Sequence, residues 1–258
     1  MLNFRFKTFI LSLCLINTSW AQENLLAIGQ GISSPTSTST VNYSNGFTHE
    51  NPVGTIYQGG ARFSLQYDDN DNNSGLGGEL GIGQGNYGLA LGYYKNDCDS
   101  CDGDIAAAAA GSLGTFSLGL RVEEDLLTLG VVVNPTGQHR FGFTADINES
   151  DSSDSVKSFG VGYSLVKGNV TATLDASKQD RESDSSADDI IALTPGLRLQ
   201  ADMLALSVSY DMFVNEPEGS NRSNDLWFGV GIGKGQNWHL AIYKDYVADW
   251  ALVGSLFF

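Results

Sequence analysis

Four groups of residues in this sequence have the types and spacings from which chemistry is built. Cys98-Asp-Ser-Cys101 is a C-x-x-C pair, the spacing of a redox dithiol or of half a zinc site. A zinc site needs a second ligand pair, but Cys14 stands near the N-terminus and His49, His139 and His239 are scattered. No thioredoxin-like βαβ pattern surrounds the pair, so the expectation is a local disulfide between Cys98 and Cys101. Asp69-Asn-Asp-Asn-Asn-Ser-Gly75 alternates oxygen donors as a calcium loop does. Its glycine falls one place late, and Leu80 occupies the position of the bidentate glutamate, so a solvated acidic loop is expected and no metal site. Gly81-Ile-Gly-Gln-Gly85 has the glycine spacing of a nucleotide fingerprint. No helix follows to present its N-terminal amides to a phosphate, and the fingerprint fails with it. No Ser-His-acid constellation can be read. Only His239, with Asp211 and Asp245 on the same face of nearby strands, offers a dyad, and the expectation is neither enzyme nor cofactor.

A further set of polar residues has meaning only through the elements that carry it. Arg62, Gln66, Glu79, Arg121, Arg140, Asp146, Asp175, Arg198, Asp211 and His239 all fall on the small or polar face of segments that alternate with period two. In Phe159 to Leu165, large apolar residues alternate with Gly160, Gly162 and Ser164, and in Leu204 to Met212 with Ala205, Ser207, Ser209 and Asp211. Such alternation is the signature of strands with one face toward lipid and the other toward a lumen. On that reading the charges line an interior, where opposite signs can neutralise one another.

The pattern predicts strands over 60–68, 76–83, 86–95, 104–111, 115–122, 126–134, 139–148, 157–166, 169–177, 190–199, 203–213, 226–234, 237–245 and 249–258. About 14 strands of this length suit a closed antiparallel transmembrane β-barrel, with 12 as the count if the weakest segments fail; the alanine run in 104–111 is the weakest. Short turn-formers follow the even strands, such as Gln84-Gly85, Lys167-Gly168 and Lys234-Gly-Gln236, and longer acidic segments follow most odd ones. In bacterial barrels that asymmetry distinguishes periplasmic turns from outer loops, and it puts both termini in the periplasm. Tyr87, Phe116, Phe141 and Trp238 fall toward one interface and Tyr67, Tyr93, Tyr210 and Trp250 toward the other, as aromatic girdles do. The last strand, with Trp250, Leu252, Gly254, Leu256 and Phe258 on one face, resembles the signal read by the barrel-assembly machinery of the outer membrane.

The N-terminus supplies the route. Arg5 and Lys7 precede an apolar stretch from Thr8 to Ile16, and Ser19-Trp-Ala21 has small residues at the two positions that a signal peptidase reads. Residues 1–21 are therefore expected to be a signal peptide, too short in its apolar run to span as a helix. Cleavage would remove two of the 14 basic residues and none of the 30 acidic ones, taking the formal charge from −16 to −18. So acidic a chain is an improbable partner for nucleic acid, which leaves outer-membrane lipids as its surroundings.

Residues 22–59 differ in kind, rich in Ser, Thr, Asn and Gly, and end in Asn51-Pro52-Val53-Gly54 before the first strand. Here, and loosely in Ile28-Gly-Gln-Gly31, the chain resembles the FadL-type family of outer-membrane transporters for hydrophobic compounds. In that family an N-terminal segment containing Asn-Pro-Ala-Gly plugs a barrel of fourteen strands; Val53 replaces the alanine, and this chain is shorter than most members. The resemblance implies a plug over 22–59 marked by Asn51, Pro52 and Gly54, a barrel over 60–258, and passive passage of small hydrophobic molecules. A narrow general porin and a structural barrel with acidic outer loops are the alternatives. The other explanation of the motif is a simple turn leading into the barrel.

The period of two makes the assignment of faces testable at one pair of positions. Leu206→Arg should cost roughly 2 to 4 kcal/mol of folding free energy in a bilayer, while Ser207→Arg, one residue along, should be tolerated better. Equal or reversed costs in urea titrations of the two variants refolded into vesicles would overturn this assignment of faces.

Overall fold

A computed structural model describes residues 51–258, apart from 59, 71–72, 85, 97–102, 124–125, 135–137, 149–154, 183–189, 216–224, 235–237 and 246–249. A short 3-10 helix, η1 (Pro52–Gln58), precedes the sheet. The strands are β1 (Gly60–Asn70), β2 (Asn73–Gln84), β3 (Tyr87–Asn96), β4 (Asp104–Leu113), β5 (Phe116–Val122), β6 (Leu126–Val133) and β7 (His139–Asn148). They continue as β8 (Ser155–Lys167), β9 (Val170–Glu182), β10 (Ile190–Ala201), β11 (Leu204–Asn215), β12 (Asp225–Lys234), β13 (Trp238–Asp245) and β14 (Trp250–Phe257). Each pairs antiparallel with its neighbours in sequence. β1 also pairs with β14, from Arg62 opposite Phe257 to Asp69 opposite Trp250, so the order of strands returns to its start.

The alanine run of 104–111 is a full strand, pairing with Tyr87–Tyr94 on one side and Phe116–Val122 on the other. Its small side chains are compatible with a strand because both neighbours supply the ladder. The run that resembles a calcium loop is also mostly strand: Asn70 pairs with Asn73, leaving only 71–72 between β1 and β2. Its described residues are thus divided between two paired strands. Likewise β9 runs on through Lys178 to Glu182 and β11 through Val214 to Asn215, where the sequence reads as loop.

Pro195 lies inside β10 and lacks the amide that a central strand must donate. The ladder between β10 and β11 skips from Leu193 to Gly196 at this point, with a register shift between Ile191 and Ala192. Pro195 keeps its place opposite Leu174 on β9. The turns at the end nearest the termini carry the conformational strain: Gly114 has φ +66°, Gly168 +57°, Asn134 +56° and Asp202 +49°. Asn134 also donates from Nδ2 to the carbonyl of His139 at 2.9 Å, which ties the connection between β6 and β7.

Alternation decides what each face meets. Outward positions are large and apolar and remain exposed: Leu80, Leu89, Leu91, Leu118, Val161, Leu174, Leu206 and Val230 are examples. Inward positions are Gly, Ala, Ser and Thr with a few charges, and they are buried. This inverts the arrangement of a soluble protein, and a lipid exterior is the environment that makes it favourable. Aromatic side chains stand at both ends of the apolar band. At the terminal end, His139 Nδ1 and the Tyr163 hydroxyl lie 2.7 Å apart, and the Tyr163 ring packs 5.1 Å from that of Phe141.

Gly168 has open space around its missing Cβ, so only its positive φ opposes a side chain. Gly168→Ala should therefore cost about 1 kcal/mol. Gly111→Ala, with no such φ and no atom nearer than 3.9 Å, should be neutral. Unfolding in vesicles would measure both.

Candidate functional site

The Asn51-Pro52-Val53-Gly54 motif builds a helical turn by ordinary capping chemistry. Asn51 Oδ1 accepts from the Val53 amide at 3.1 Å, as an N-cap side chain does, and the Gly54 amide donates to the Asn51 carbonyl at 3.0 Å. Pro52 follows at the first helical position, where a missing amide costs nothing. Thr55 Oγ1 donates back to the Pro52 carbonyl at 3.0 Å.

This turn lies against the inner wall formed by β2 to β6, and Asn51 through Ile56 are buried. Asn51 Nδ2 reaches the carbonyls of Val131 on β6 and Phe143 on β7 at 3.3 and 3.4 Å. One asparagine therefore both starts the helix and fastens it to the wall. Val53 and Ile56 pack with Val132 and Ala110 into a small apolar cluster on the interior side.

Glycine makes the approach possible. A Cβ at Gly83 would come 2.6 Å from the Thr55 carbonyl oxygen, and one at Gly119 would come 2.6 Å from the Val53 amide nitrogen. At Gly88 and Gly130 it would collide with Thr55 and with Asn51. Four inward glycines, on β2, β3, β5 and β6, thus form a shallow bed for the backbone of η1. Sequence reading passed over them as site residues and met Gly83 only inside a failed nucleotide motif. The available signal was the recurrence of glycine at inward positions of neighbouring strands.

The charges assigned to the lumen divide by position. Arg62, Glu79, Arg121, Asp146, Asp175 and Arg198 are buried, and Arg140 is half-buried. Arg62 and Glu79, on β1 and β2, form an ion pair with no exposed side-chain surface, and Arg121 pairs with Glu123. Arg121, Thr128 and Asp146 stand opposite one another across β5, β6 and β7. On β7 to β11 the inward positions form a hydroxyl-rich wall. Arg140, Ser164, Thr173, Gly196 and Ser209 occupy one register row, and Thr171, Arg198 and Ser207 another. The interior therefore differs locally: η1 rests on glycine and alanine, while hydroxyls and charges occupy other inward positions, Glu79, Ser117, Arg121 and Thr128 on β2, β5 and β6 among them.

The proposed dyad is not assembled. His239 is the second residue of β13 and Asp245 its last; six strand positions are about 20 Å. On β11, the backbone level with His239 is near Met203, whereas Asp211 pairs with Asp225 near the other end. Sharing a face of neighbouring strands does not bring residues to one height. The side chains of Gln66, Asp211 and His239, the Cys98 and Cys101 pair, and residues 1–50 lie outside what the structure describes. Among the described residues, no cluster of three metal-ligating side chains occurs.

No protein-family model and no curated protein matches the sequence. Solved structures do. The chain is similar to a bacterial polysaccharide outer membrane secretin at TM-score 0.57 and 7% identity, over 77% of this chain and 98% of that one. It is similar to the CymD monoaromatic hydrocarbon channel at TM-score 0.54 and 12% identity, over 89% of this chain and 95% of that one. At these identities the likeness is one of fold: an antiparallel β-sheet of the outer-membrane barrel kind.

The buried pair of Arg62 and Glu79 gives a direct test of the interior. Glu79→Ala should destabilise by about 3 kcal/mol, because the buried Arg62 charge loses its neighbouring carboxylate. Arg62→Met combined with Glu79→Met should recover most of that loss, which unfolding titrations of the single and double variants would measure.

Proposed function

We propose that this protein is an outer-membrane barrel for the passive passage of small molecules, in which residues 22–59 act as a partial plug. The observation that carries the reading is the burial of Asn51 to Ile56 on the inner wall, fastened by Asn51 and bedded on four glycines. A motif that served only as a turn into the first strand would have no use for that bed. The signal peptide expected over residues 1–21 and the terminal strand ending at Phe258 support export and insertion by the barrel-assembly machinery. The short connections beside the termini then face the periplasm.

Small hydrophobic molecules are the preferred cargo. The motif before the first strand supports this through its resemblance to FadL-type transporters. So does the apolar cluster of Val53, Ile56 and Val132 inside the barrel, together with a similar fold in a protein named as a monoaromatic hydrocarbon channel. Apolar contact would supply the binding energy, and no reaction or cofactor is required. A specific observation favours a second reading, passage of small polar solutes: the hydroxyl-rich wall of β7 to β11 would hydrate such a path.

Filling the bed separates these readings. Gly88→Leu and Gly119→Leu should expel η1 and leave the barrel folded, raising single-channel conductance in planar bilayers above that of wild type and of Gly111→Ala. For a hydrophobic pathway, the same variants should lose saturable uptake of toluene by cells. For a polar one, uptake of small sugars should rise and toluene should be unaffected. Unchanged conductance in both variants would remove the plug from the proposal.

A further inference from the structure

A cavity of about 510 Å³ lies over β1, β2 and β3, toward the rim opposite the termini. Leu65 and Tyr67 on β1, Leu76 on β2, and Tyr93 and Lys95 on β3 border it. These are outward positions, set in two register rows: Leu65, Gly78 and Tyr93, and above them Tyr67, Leu76 and Lys95. It is therefore a groove in the outer surface, distinct from the lumen and from η1.

Gly78 is the cause of the groove. The outward positions before and after it on β2 are Leu76 and Leu80, both well exposed. A leucine-sized side chain is what β2 otherwise carries on this face, at Leu76, Leu80 and Ile82. Nothing in the backbone demands glycine here: Gly78 has no positive φ, and a Cβ would meet Leu65 Cδ2 at 3.4 Å and the Ser64 carbonyl at 3.8 Å, ordinary contacts. The Tyr93 ring lies the other way, onto Gly103 just before β4, where a Cβ would collide with it. The trough over Gly77 and Gly78 is thus left open between Leu65 and Tyr93.

The groove has a direction. Its lower part is leucine and bare glycine backbone; tyrosines flank it, and at the top, next to the last residue of β3, stands Lys95, exposed and the one charged residue among those that line it. That is the order of groups along a lipid standing in the adjoining leaflet, with the acyl chain toward the midplane and the headgroup at the rim. The charge is complementary to a phosphate, and it stands out on a chain whose formal charge is −16. The volume lies in the range of sites that enclose a small ligand.

We propose that this groove holds one lipid of the surrounding leaflet, its phosphate on the Lys95 ammonium and an acyl chain along Gly77 and Gly78 between Leu65 and Tyr93. The lysine serves here because a flexible stem lets the ammonium reach the headgroup level while its methylenes stay in apolar contact. The proposal is independent of what passes through the lumen.

Native mass spectrometry of the full-length protein in detergent micelles tests it, with dioleoyl phosphatidic acid and dioleoyl phosphatidylcholine titrated separately. Wild type should retain one phosphatidic acid ahead of all further adducts and in preference to phosphatidylcholine. Lys95→Gln should lower the affinity for that first phosphatidic acid by about fivefold and leave phosphatidylcholine unchanged. Gly78→Leu, which fills the trough, should weaken the first adduct of both lipids. Heat-dependent gel migration would check that each variant is folded; the Lys95 side chain is exposed and its replacement leaves the backbone ladder to Leu76 intact, so its variant remains informative if Gly78→Leu does not fold. First-adduct affinities equal to wild type in both variants would overturn the proposal. So would complete displacement of the lipid by inorganic phosphate alone, which would leave the apolar trough without a role. A shift of wild type from dimer to monomer in Gly78→Leu would assign the groove to a second copy of the chain and equally overturn it.

Discussion

An unpaired backbone amide or carbonyl in hydrocarbon costs several kcal/mol, and this constraint governs the rest of the structure. The outer face of the sheet is leucine, valine, isoleucine and phenylalanine, which no aqueous surface would carry in such density. Beside such a face the edge of a sheet cannot be left to solvent. The ladder between β1 and β14, with eight residues of β1 in register, removes both edges at once. Phe258 extends the seam past the last strand residue, donating to the Ala61 carbonyl at 2.9 Å and accepting from its amide at 3.3 Å. The defect at Pro195 is tolerable under the same rule, because the residue that interrupts the ladder is the one with no amide to leave unpaired.

Once the ring is fixed, the two faces divide the cations by chemistry. Arg62, Arg121, Arg140 and Arg198 point inward, where a planar fork can satisfy carboxylates and hydroxyls on neighbouring strands with little loss of freedom. Lys95 and Lys178 are exposed on the outward face, each near the rim end of its strand. A lysine in an interior row would have to give up a tightly held hydration shell. An arginine on the lipid side would hold a rigid charged plane against leucines. The division therefore follows from solvation and needs no appeal to a specific ligand inside the barrel.

Much of the architecture was legible because period two is a strong signal when it persists through strand after strand. The alternation at Phe159 to Leu165 and at Leu204 to Met212 marks both the strand and its faces, and β8 and β11 carry those residues accordingly. The places where reading failed have physical reasons. Asp69 to Gly75 and Lys178 to Glu182 read as loop because strands that project past the apolar band lose their hydrophobic side chains without losing their hydrogen bonds. His239, Asp211 and Asp245 share a face by parity, but height along the barrel depends on register between strands, which parity does not contain. The motif Asn51 to Gly54 could be seen, whereas the wall that receives it could not. Its partners are glycines, whose contribution is an absence.

That absence also explains why the inner wall under η1 lacks polar side chains at the positions it touches. A backbone lying flat on a strand needs a row of positions with no Cβ, and the same row cannot carry the hydroxyls and charges that line β7 to β11. The chain separates the two requirements by position: glycine on β2, β3, β5 and β6 where η1 rests, and serine, threonine and charged residues at other inward positions, Glu79 and Arg121 on those same strands included. Asn51 spans two strands, since its amide nitrogen reaches carbonyls of both β6 and β7. Those carbonyls already belong to the ladder between the two strands, so the side chain uses their second lone pairs and takes nothing from closure. The docked segment therefore leaves the hydrogen-bonded ring around it unchanged. Closed ladder and docked segment coexist because they draw on different lone pairs of the same carbonyls.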